Sequence, residues 1–332
     1  MDMNIPRWTL LLMVCLLLAV SGCAPRTPSQ NMGSTQTPNG LPPPALNTPT
    51  LPGPTRTPGP TGTPLPTLTV RPTAAPLPSP TATPPVPTPT PGVIHSILVF
   101  PVYESPFGYL LGASQDGNWR TVEDAAALPQ PQETYALYSV LERQGSAVGG
   151  EPVEEMVCPS FWSVPVEHET GLVAAIAGEW DALPRIPQKV DVNDAQAVQQ
   201  VANFLTAQGI SQPQVKIQRI LKADLDGDGT QEFVVAASRF VEETGHDVSP
   251  GDYSLVLLYR DGQAALPVVS DWYTKEGPMT FPDRFELSAL LDLNGDGRLE
   301  ILVGITGWEQ TGALAYTVDG SALENVLQAR CP

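Results

Sequence analysis

Two nine-residue stretches repeat one pattern of oxygen-bearing side chains, Asp224–Glu232 and Asp292–Glu300. Carboxylate or amide oxygens fall at positions 1, 3, 5 and 9, glycines fall at positions 4 and 6, and position 7 offers a backbone carbonyl. Hard cations such as Ca²⁺ take about six to eight oxygen ligands, and glycines let a loop curl around a centre. The spacing therefore predicts two calcium ions. The predicted ligands are Asp224, Asp226, Asp228, Thr230 and Glu232 in the first loop, and Asp292, Asn294, Asp296, Arg298 and Glu300 in the second.

The alternative interpretation of these loops is a pair of acidic hairpin tips, since Asp and Gly are common in turns that bind nothing. Repetition of the spacing favours the metal interpretation, because two carboxylates about 5 Å apart repel by roughly 3 kcal/mol at an effective dielectric of about 20. The first loop carries one more carboxylate than the second, where neutral Asn294 stands at position 3. Ligand charge tunes calcium affinity, so the sequence predicts tighter binding by the first loop.

The residues that flank the loops predict strands. Apolar and β-branched side chains fill all four flanking stretches, Val215–Leu221, Phe233–Ala237, Phe285–Leu291 and Ile301–Ile305. An EF-hand would need a glutamate at position 12, where the two loops have Val235 and Val303. A DxDGDGxxE loop between strands resembles the calcium hairpins of the FG-GAP/VCBS repeats, as in the integrin α-chain propeller. The resemblance covers Val215–Phe240 and Phe285–Trp308 and implies a calcium-binding hairpin in each.

Beyond the loops, the C-terminal part repeats an order of four strands. Each unit reads as strand, calcium loop, strand, longer connection, strand, Asp-Gly turn and strand, with the turns at Asp261-Gly262 and Asp319-Gly320. Four strands make one propeller blade, but a propeller closes only with about four to eight blades. We therefore predict a mainly β fold of antiparallel meanders with two propeller-blade-like repeats and one clear α-helix. It is not a complete propeller, and an α+β fold is the alternative.

The rest of the globular region predicts a helix and a strand-rich part. Asn193–Gln208 is the predicted helix, because Val198, Val201, Ala202 and Leu205 share one face, with Asn193 and Gln196 as an N-terminal capping box and Gly209 as the stop. Residues 93–190 form the predicted strand-rich part, and residues 191–332 hold the helix and the two repeats. One predicted strand, Thr134–Glu142, turns at Gln144-Gly145 into the next.

The N-terminus carries export signals. An apolar run, Trp8–Val20, follows Arg7 and is too short for a comfortable membrane span, so residues 1–22 predict a signal peptide. The run ends in Val20-Ser21-Gly22-Cys23, which resembles a bacterial lipobox and implies lipidation of Cys23; an ordinary secretory signal is the alternative. We expect an exported protein that is lipid-anchored to the membrane and faces outward, at the cell surface or the periplasmic side.

Residues 23–92 predict a linker between this anchor and the globular region. Ala24–Gly92 contains 22 Pro and 16 Thr and no aromatic or acidic residue. Such a segment buries too little apolar surface to offset its ordering entropy, so we expect a disordered stalk with a reach of roughly 200 Å. A Pro-rich ligand for a partner domain is the alternative interpretation.

Charge and cysteines narrow the function. Residues 93–332 hold 34 of the 35 acidic residues but 13 of the 17 basic ones, which argues against a nucleic-acid partner. Cys15 lies in the signal peptide and Cys23 takes lipid, so Cys158 and Cys331 are left to form a disulfide in an oxidising compartment. Two free thiols are the alternative. The motif of a serine hydrolase, a zinc protease or a P-loop does not occur.

These observations predict a surface-anchored, non-catalytic lipoprotein whose calcium-stabilised β domain acts in binding or adhesion. Its expected partners are the membrane, through the lipid, and an envelope polysaccharide or protein. Five tryptophans offer stacking surfaces for sugars, although aromatics among strands also serve as core: Trp119, Trp162, Trp180, Trp272 and Trp308. One alternative is a lipoprotein that captures a soluble ligand. Another is a secreted hydrolase that uses Glu154 with Glu155 or Glu167 with Glu169 and keeps the calcium loops as scaffold.

Overall fold

The computed structural model describes residues 92–100, 105–124, 129–159, 161–168, 170–242, 245–308, 310–320 and 322–331. The predicted signal peptide, the lipidation at Cys23 and nearly all of the linker lie outside these residues. Within them the chain forms seventeen strands and one helix, and every strand pairing is antiparallel. The predicted fold class, mainly β with antiparallel meanders and no complete propeller, is confirmed.

The strand-rich first part contains the strands β1 Ile94–Val99, β2 Phe107–Gln115, β3 Asn118–Arg120, β4 Thr134–Tyr138, β5 Arg143–Val148, β6 Val153–Glu154, β7 Trp162–Pro165 and β8 Ala174–Ile176. They form one sheet whose order is β5-β4-β8-β1-β2-β7-β6, with β3 paired to β2. Its central strand β1 is buried on both faces, as the full burial of Ile97 and Leu98 shows.

The turn between β4 and β5 falls earlier than the sequence predicts. Ser139 closes it, since both its amide and its hydroxyl donate to the carbonyl of Glu142 at 2.9 and 3.2 Å. The expected turn residues lie inside β5, where Leu137 pairs with Gly145 and Tyr138 with Arg143, so that the ladder skips residue 144. The glycine therefore marks a β-bulge, which the same residue type also favours, and the predicted turn position is wrong.

The C-terminal part forms two meanders that repeat one plan. The first contains β10 Ile217–Ala223, β11 Glu232–Arg239, β12 Tyr253–Arg260 and β13 Leu266–Trp272, with the short β9 Gln188–Lys189 added at its edge. The second contains β14 Arg284–Leu291, β15 Glu300–Thr306, β16 Thr311–Asp319 and β17 Ala322–Cys331. In each meander the calcium-type loop joins the first strand to the second, and an Asp-Gly pair lies at the turn between the third and the fourth.

The helix α1, Ala195–Ala207, covers the outer face of the first meander. Ala197, Val201 and Leu205 are buried there with residues of β10, β11 and β12. The predicted capping box is wrong by one residue: Asp194 is the N-cap, and its side chain accepts the amide of Ala197 at 2.9 Å. Gln196 instead donates to the carboxylate of Asp261 at 3.1 Å, which joins the helix to the β12–β13 turn.

Successive side chains of a strand point to opposite faces of its sheet, so the second meander packs against a different sheet on each face. In β15, Ile301, Val303 and Ile305 pack against the first meander, whereas Leu302 packs against the N-terminal sheet. The order of layers is therefore helix, first meander, second meander, N-terminal sheet. The N-terminal sheet and the second meander therefore share one hydrophobic cluster, and the two meanders share another.

A disulfide joins Cys158, which follows β6, to Cys331 at the end of β17, with the Cα atoms 5.3 Å apart. It ties the N-terminal sheet to the last strand across a sequence separation of 173 residues. No helix among the described residues is long and apolar enough to cross a bilayer.

Candidate metal centre

The two acidic loops share one scaffold of hydrogen bonds around the first aspartate. Asp224 accepts the amides of Gly227 and Gly229 at 2.7 and 3.0 Å. Asp292 accepts the amides at the same two positions, from Gly295 and Gly297, at 2.7 and 2.9 Å. All four glycines have a positive φ between 80° and 89°, a conformation that L side chains rarely adopt. The curled shape of each loop therefore requires glycine at positions 4 and 6.

The glutamate at position 9 of each loop accepts a hydrogen bond from the amide at position 2, which links the two ends of the loop. Glu232 accepts the amide of Leu225 at 2.8 Å, and Glu300 accepts the amide of Leu293 at the same distance. Positions 3 and 5 add short local bonds in both loops, for example from the amide of Asp296 to Asn294 at 3.1 Å. The equivalence predicted from the residue spacing therefore extends to the backbone geometry.

The loops differ at the second oxygen of that glutamate. Glu232 Oε1 accepts from Nε of Arg260 at 2.6 Å, and Nη2 of the same guanidinium lies 3.4 Å from Asp226 Oδ2. The carboxyl oxygen Oε1 of Glu300 is buried and has no hydrogen-bond partner. Strand register explains the difference, because Glu232 lies opposite Arg260 in the β11–β12 pair. In the second meander Ile301 pairs with Tyr316, and the register continued by one residue brings Thr317 opposite Glu300.

The second loop lies under the N-terminal sheet and is the more buried of the two. Asp292, Asn294 and Glu300 are at most 3% exposed. Trp180 Nε1 donates to the carbonyl of Asp292 at 2.8 Å, and Ser114 Oγ donates to the carbonyl of Asn294 at 3.3 Å. In the first loop, by contrast, the equivalent residues Asp224 and Asp226 are only half-buried. Sequence reasoning missed Trp180 and Ser114, since no local pattern links them to a loop more than a hundred residues away.

Burial changes the acidity of the second loop. Removal from water raises the pKa of Asp292 to about 6, although the amides of Gly297 and Gly295 act in the opposite direction. Burial also raises the pKa of Glu300 well above its usual range, and the charges of Asp292 and Asp296 raise it further. Arg298, the basic residue of this loop, turns outward to Asp319 at 3.5 Å. The loop thus gathers acidic groups whose ionised forms are disfavoured unless a cation is present.

The fit of each loop to a metal ion can be tested on its donors. In the first, carboxylate oxygens of Asp224, Asp226 and Glu232 lie within 4.8 Å of one another, but a guanidinium already contacts two of these side chains. In the second, a buried carboxyl oxygen is unpartnered beside other oxygen-bearing side chains. The second loop therefore has a buried oxygen that a hard cation would satisfy, whereas in the first loop a guanidinium already contacts two of the three converging carboxylates. The exposed residues Thr230 and Arg298 lie at position 7, and their amides donate to Asp228 and Asp296.

The two loops lie side by side. Arg185 donates from Nε to the carbonyl of Asp224 at 2.6 Å and from Nη2 to the carbonyl of Leu225 at 3.0 Å. The same Nη2 donates to the carbonyl of Gly297 in the second loop at 2.7 Å. One arginine from the segment before the helix therefore holds both loops together.

The five tryptophans divide between core and surface. Trp180 is buried and meets His95 edge to face, while Trp119 and Trp162 pack against the core of the N-terminal sheet. Trp272 is 37% exposed and contacts Phe204 of the helix. Trp308 is 47% exposed, so it presents the largest tryptophan surface among the described residues.

Trp308 belongs to a partly exposed aromatic cluster, which we define as His246, Phe281 and Trp308. The ring centroids of His246 and Trp308 are 4.8 Å apart, and those of His246 and Phe281 are 5.7 Å apart. Phe281 has a φ of 52° and Met279 a φ of 54°, values that are strained for non-glycine residues. The carbonyl of His246 accepts the amide of Phe281 at 2.9 Å, so the strained segment is held in place.

The carboxylates proposed for hydrolysis lie elsewhere. Glu154 is on the edge strand β6 and is exposed, and Glu155 follows it, so this pair lies at the rim of the N-terminal sheet. Glu169 lies outside the described residues, so the pairing of Glu167 with it stays a prediction. An apolar recess between the N-terminal sheet and the second meander is lined by Phe100, Tyr109, Phe161, Leu302 and Ile305, among others.

Comparison of the chain with protein-family models, curated proteins and solved structures gave no match. The resemblance to FG-GAP/VCBS calcium hairpins therefore rests on the two loops and their strands alone.

Proposed function

We propose that this chain is a surface-anchored, non-catalytic lipoprotein whose β domain is stabilised by calcium and binds a polysaccharide of the cell envelope. Calcium binding is supported by Oε1 of Glu300, which is buried and has no hydrogen-bond partner, in a loop where Asp292 is also buried. Both carboxyls lack a cationic side-chain partner within the described residues. An uncompensated buried charge is costly, and a divalent cation compensates it directly.

The ion would be held by the second loop. Asp292, Asn294, Asp296 and Glu300 offer side-chain oxygens, and the carbonyl of Arg298 offers one more. These are the hard oxygen donors that calcium prefers, and the glycine-rich loop has the flexibility that calcium tolerates better than magnesium. The bound ion would hold the second meander against the N-terminal sheet, because Trp180 and Ser114 both bond to this loop.

The aromatic cluster of His246, Phe281 and Trp308 supports polysaccharide as the ligand. An exposed indole face packs against the apolar face of a sugar ring, and nearby carboxylates accept hydrogen bonds from sugar hydroxyls. Asp247 lies beside this cluster, since its Oδ1 accepts the amide of Met279 at 2.7 Å, and the side chain is half exposed. The strained but bonded backbone gives the cluster a fixed shape, which reduces the entropy lost on binding.

The export signals of the sequence supply the location. Lipid on Cys23 followed by a long Pro/Thr-rich segment would hold the β domain away from the membrane, where both calcium and polysaccharide are accessible. Mass spectrometry of the membrane fraction should find a diacylglyceryl thioether on this residue, and Cys23→Ser should release the protein. Unchanged membrane anchoring of the variant would refute the lipoprotein assignment.

Two measurements on the full chain with Cys23→Ser test the rest. Calorimetric titration should show calcium binding that Glu300→Gln removes; no heat in the unsubstituted protein would refute the calcium site.

Sedimentation with insoluble envelope polysaccharide should recover the protein but not its Trp308→Ala variant. Trp272→Ala is the matched control, because this tryptophan is also partly exposed but lies against the helix. Equal recovery of both variants would refute the binding face.

The apolar recess favours ligand capture as a second candidate function. Its lining by Tyr109, Phe161 and Leu302 would suit a small apolar molecule. Native mass spectrometry of the exported protein separates the two candidates, because a captured ligand would be carried along as a defined mass that organic extraction removes.

A further inference from the structure

We infer that Arg260 takes the place of a cation in the first loop, so that this loop binds no calcium ion and only the second loop is left as a site. The inference concerns the first loop and rests on the proposed function only for the site in the second. The guanidinium bonds to Glu232 at 2.6 Å and reaches Asp226 at 3.4 Å. A positive charge is thus already present between two of the carboxylates that the sequence assigns to a metal.

In the first loop a hydrogen bond is already made to each side-chain oxygen of Asp224, Asp226 and Glu232. Asp224 accepts two glycine amides, Asp226 accepts the amide of Asp228 and the guanidinium, and Glu232 accepts the amide of Leu225 and the guanidinium. In the second loop the corresponding glutamate oxygen, Oε1 of Glu300, has no partner. The two loops therefore differ at this glutamate oxygen: in the first loop it accepts a hydrogen bond from a positively charged guanidinium, and in the second it accepts none.

Burial strengthens the arginine contact. The side chain of Arg260 is 20% exposed, that of Asp226 is 13% exposed and that of Glu232 is fully buried. Water screens such an ion pair much less than a surface pair. Hydrogen bonds between ionised groups are also shorter and stronger than neutral ones. Calcium approaching the same oxygens to about 2.4 Å would meet the guanidinium at close range, where two cations repel.

The position of the arginine follows from strand register and not from the loop. Glu232 begins β11 and Arg260 ends β12, and the two residues face each other across the ladder. The equivalent strand of the second meander has the uncharged Thr317 at the corresponding point. The number of carboxylates alone predicts that the first loop binds calcium more tightly. Because Arg260 neutralises carboxylates of the first loop, we expect the second loop to bind calcium more tightly instead.

Exchanging these two residues tests the inference on the full chain with Cys23→Ser. Calorimetric titration and equilibrium dialysis should give one calcium ion for the parent protein. Arg260→Thr copies the second meander and should bind two, with the added site in the range of about 10⁻⁴ to 10⁻³ M that is typical of extracellular modules. Arg260→Lys keeps a cation at this position and is the matched control, which should still bind one. Thr317→Arg should weaken the site in the second loop by more than tenfold.

The outcomes separate this inference from the proposed function. Two ions in the parent protein would overturn the inference and leave the calcium function standing. No ion in the parent protein but one in Arg260→Thr would support the inference and refute the site in the second loop. One ion in both proteins would overturn the inference.

Two further measurements cover a variant that folds poorly. The Arg260 Nε–H resonance of the unsubstituted protein should keep its position when calcium is added; a large displacement would mean that an ion competes for Glu232. Terbium luminescence sensitised by tryptophan should report the second loop, because Trp180 bonds to Asp292. Calcium should displace that signal in a single step.

Discussion

The amide of Leu299 donates a 2.8 Å hydrogen bond to the carbonyl of Leu225, which joins position 8 of the second loop directly to position 2 of the first. Arg185 adds three bonds to carbonyls of the same two loops. The loops therefore behave as one braced unit, although they belong to different meanders. Calcium in the second loop should also steady the first, and hydrogen exchange at the amide of Leu299 should slow when calcium is added.

Removal of the brace gives a first prediction. Arg185→Ala removes three charge-assisted bonds to backbone carbonyls and should lower the free energy of unfolding by about 2–4 kcal/mol. Urea denaturation with and without calcium measures the loss. Arg143→Ala, at an exposed position in β5, is the control and should change stability by less than about 0.5 kcal/mol. Equal effects of the two substitutions would contradict the bracing role.

A second prediction concerns calcium removal. At free calcium about tenfold above the dissociation constant, binding stabilises the folded state by roughly 1.4 kcal/mol. Chelation should therefore lower the melting temperature by about 3–6 °C for a domain of this size. Asn294→Ala should remove more of this response than Asp226→Ala, since the first loop is neutralised by Arg260. Differential scanning calorimetry with and without chelator measures the calcium response of the two variants. A larger loss in Asp226→Ala would support tighter binding by the first loop, as the number of carboxylates predicts.

The third prediction is a pH dependence that calcium reverses. In chelated protein the pKa of Asp292 is about 6, above the usual value of 3.8, so the folded state keeps a proton that the unfolded state loses between about pH 4 and pH 6. Stability from this group therefore falls as pH rises through that window. With calcium the sign is opposite, because the ion binds the ionised carboxylate. Melting curves at pH 5 and pH 7 measure it.

Asp292→Asn is the matched control for this pH dependence. Burial also raises the pKa values of Asp271 and Glu286, so the readout is the difference between the parent protein and the variant in chelator. An unchanged pH slope in Asp292→Asn would show that other carboxyl groups account for the effect.

The disulfide gives a fourth prediction. Cys158→Ser with Cys331→Ser should lower the free energy of unfolding by at most about 5 kcal/mol, the chain-entropy value for a loop of this length. Reductant should destabilise the parent protein and leave the double variant unchanged, as measured by thermal melting. Destabilisation of both proteins by reductant would point to a different cause.

Local features of the fold were predictable from the sequence. The calcium-type loops, their flanking strands and the Asp-Gly turns depend on residues within about ten positions of one another, so their types and spacing were sufficient. The cap at Asp194 and the turn at Ser139 were missed by small shifts, because neighbouring polar residues compete for the same backbone amides and carbonyls.

Features that depend on strand pairing were not predictable in this way. Arg260 meets Glu232 only through the register of β11 and β12, and a connection of thirteen residues separates these strands. Trp180 reaches Asp292 only because the N-terminal sheet packs on the second meander. In both cases the decisive partner of a loop residue comes from a distant part of the chain.

The disulfide has a mechanical consequence for an anchored protein that holds a polysaccharide at Trp308. Under the proposed lipid anchoring, load would enter at β1 and travel along the chain to Cys158. From there the shorter covalent route to Trp308 crosses the disulfide to Cys331 and returns along β17 and β16. The longer covalent route, which contains both acidic loops, would carry less of the load. Tension on the bound protein would thus bypass the calcium loop, and the ion would be retained while the tether is pulled.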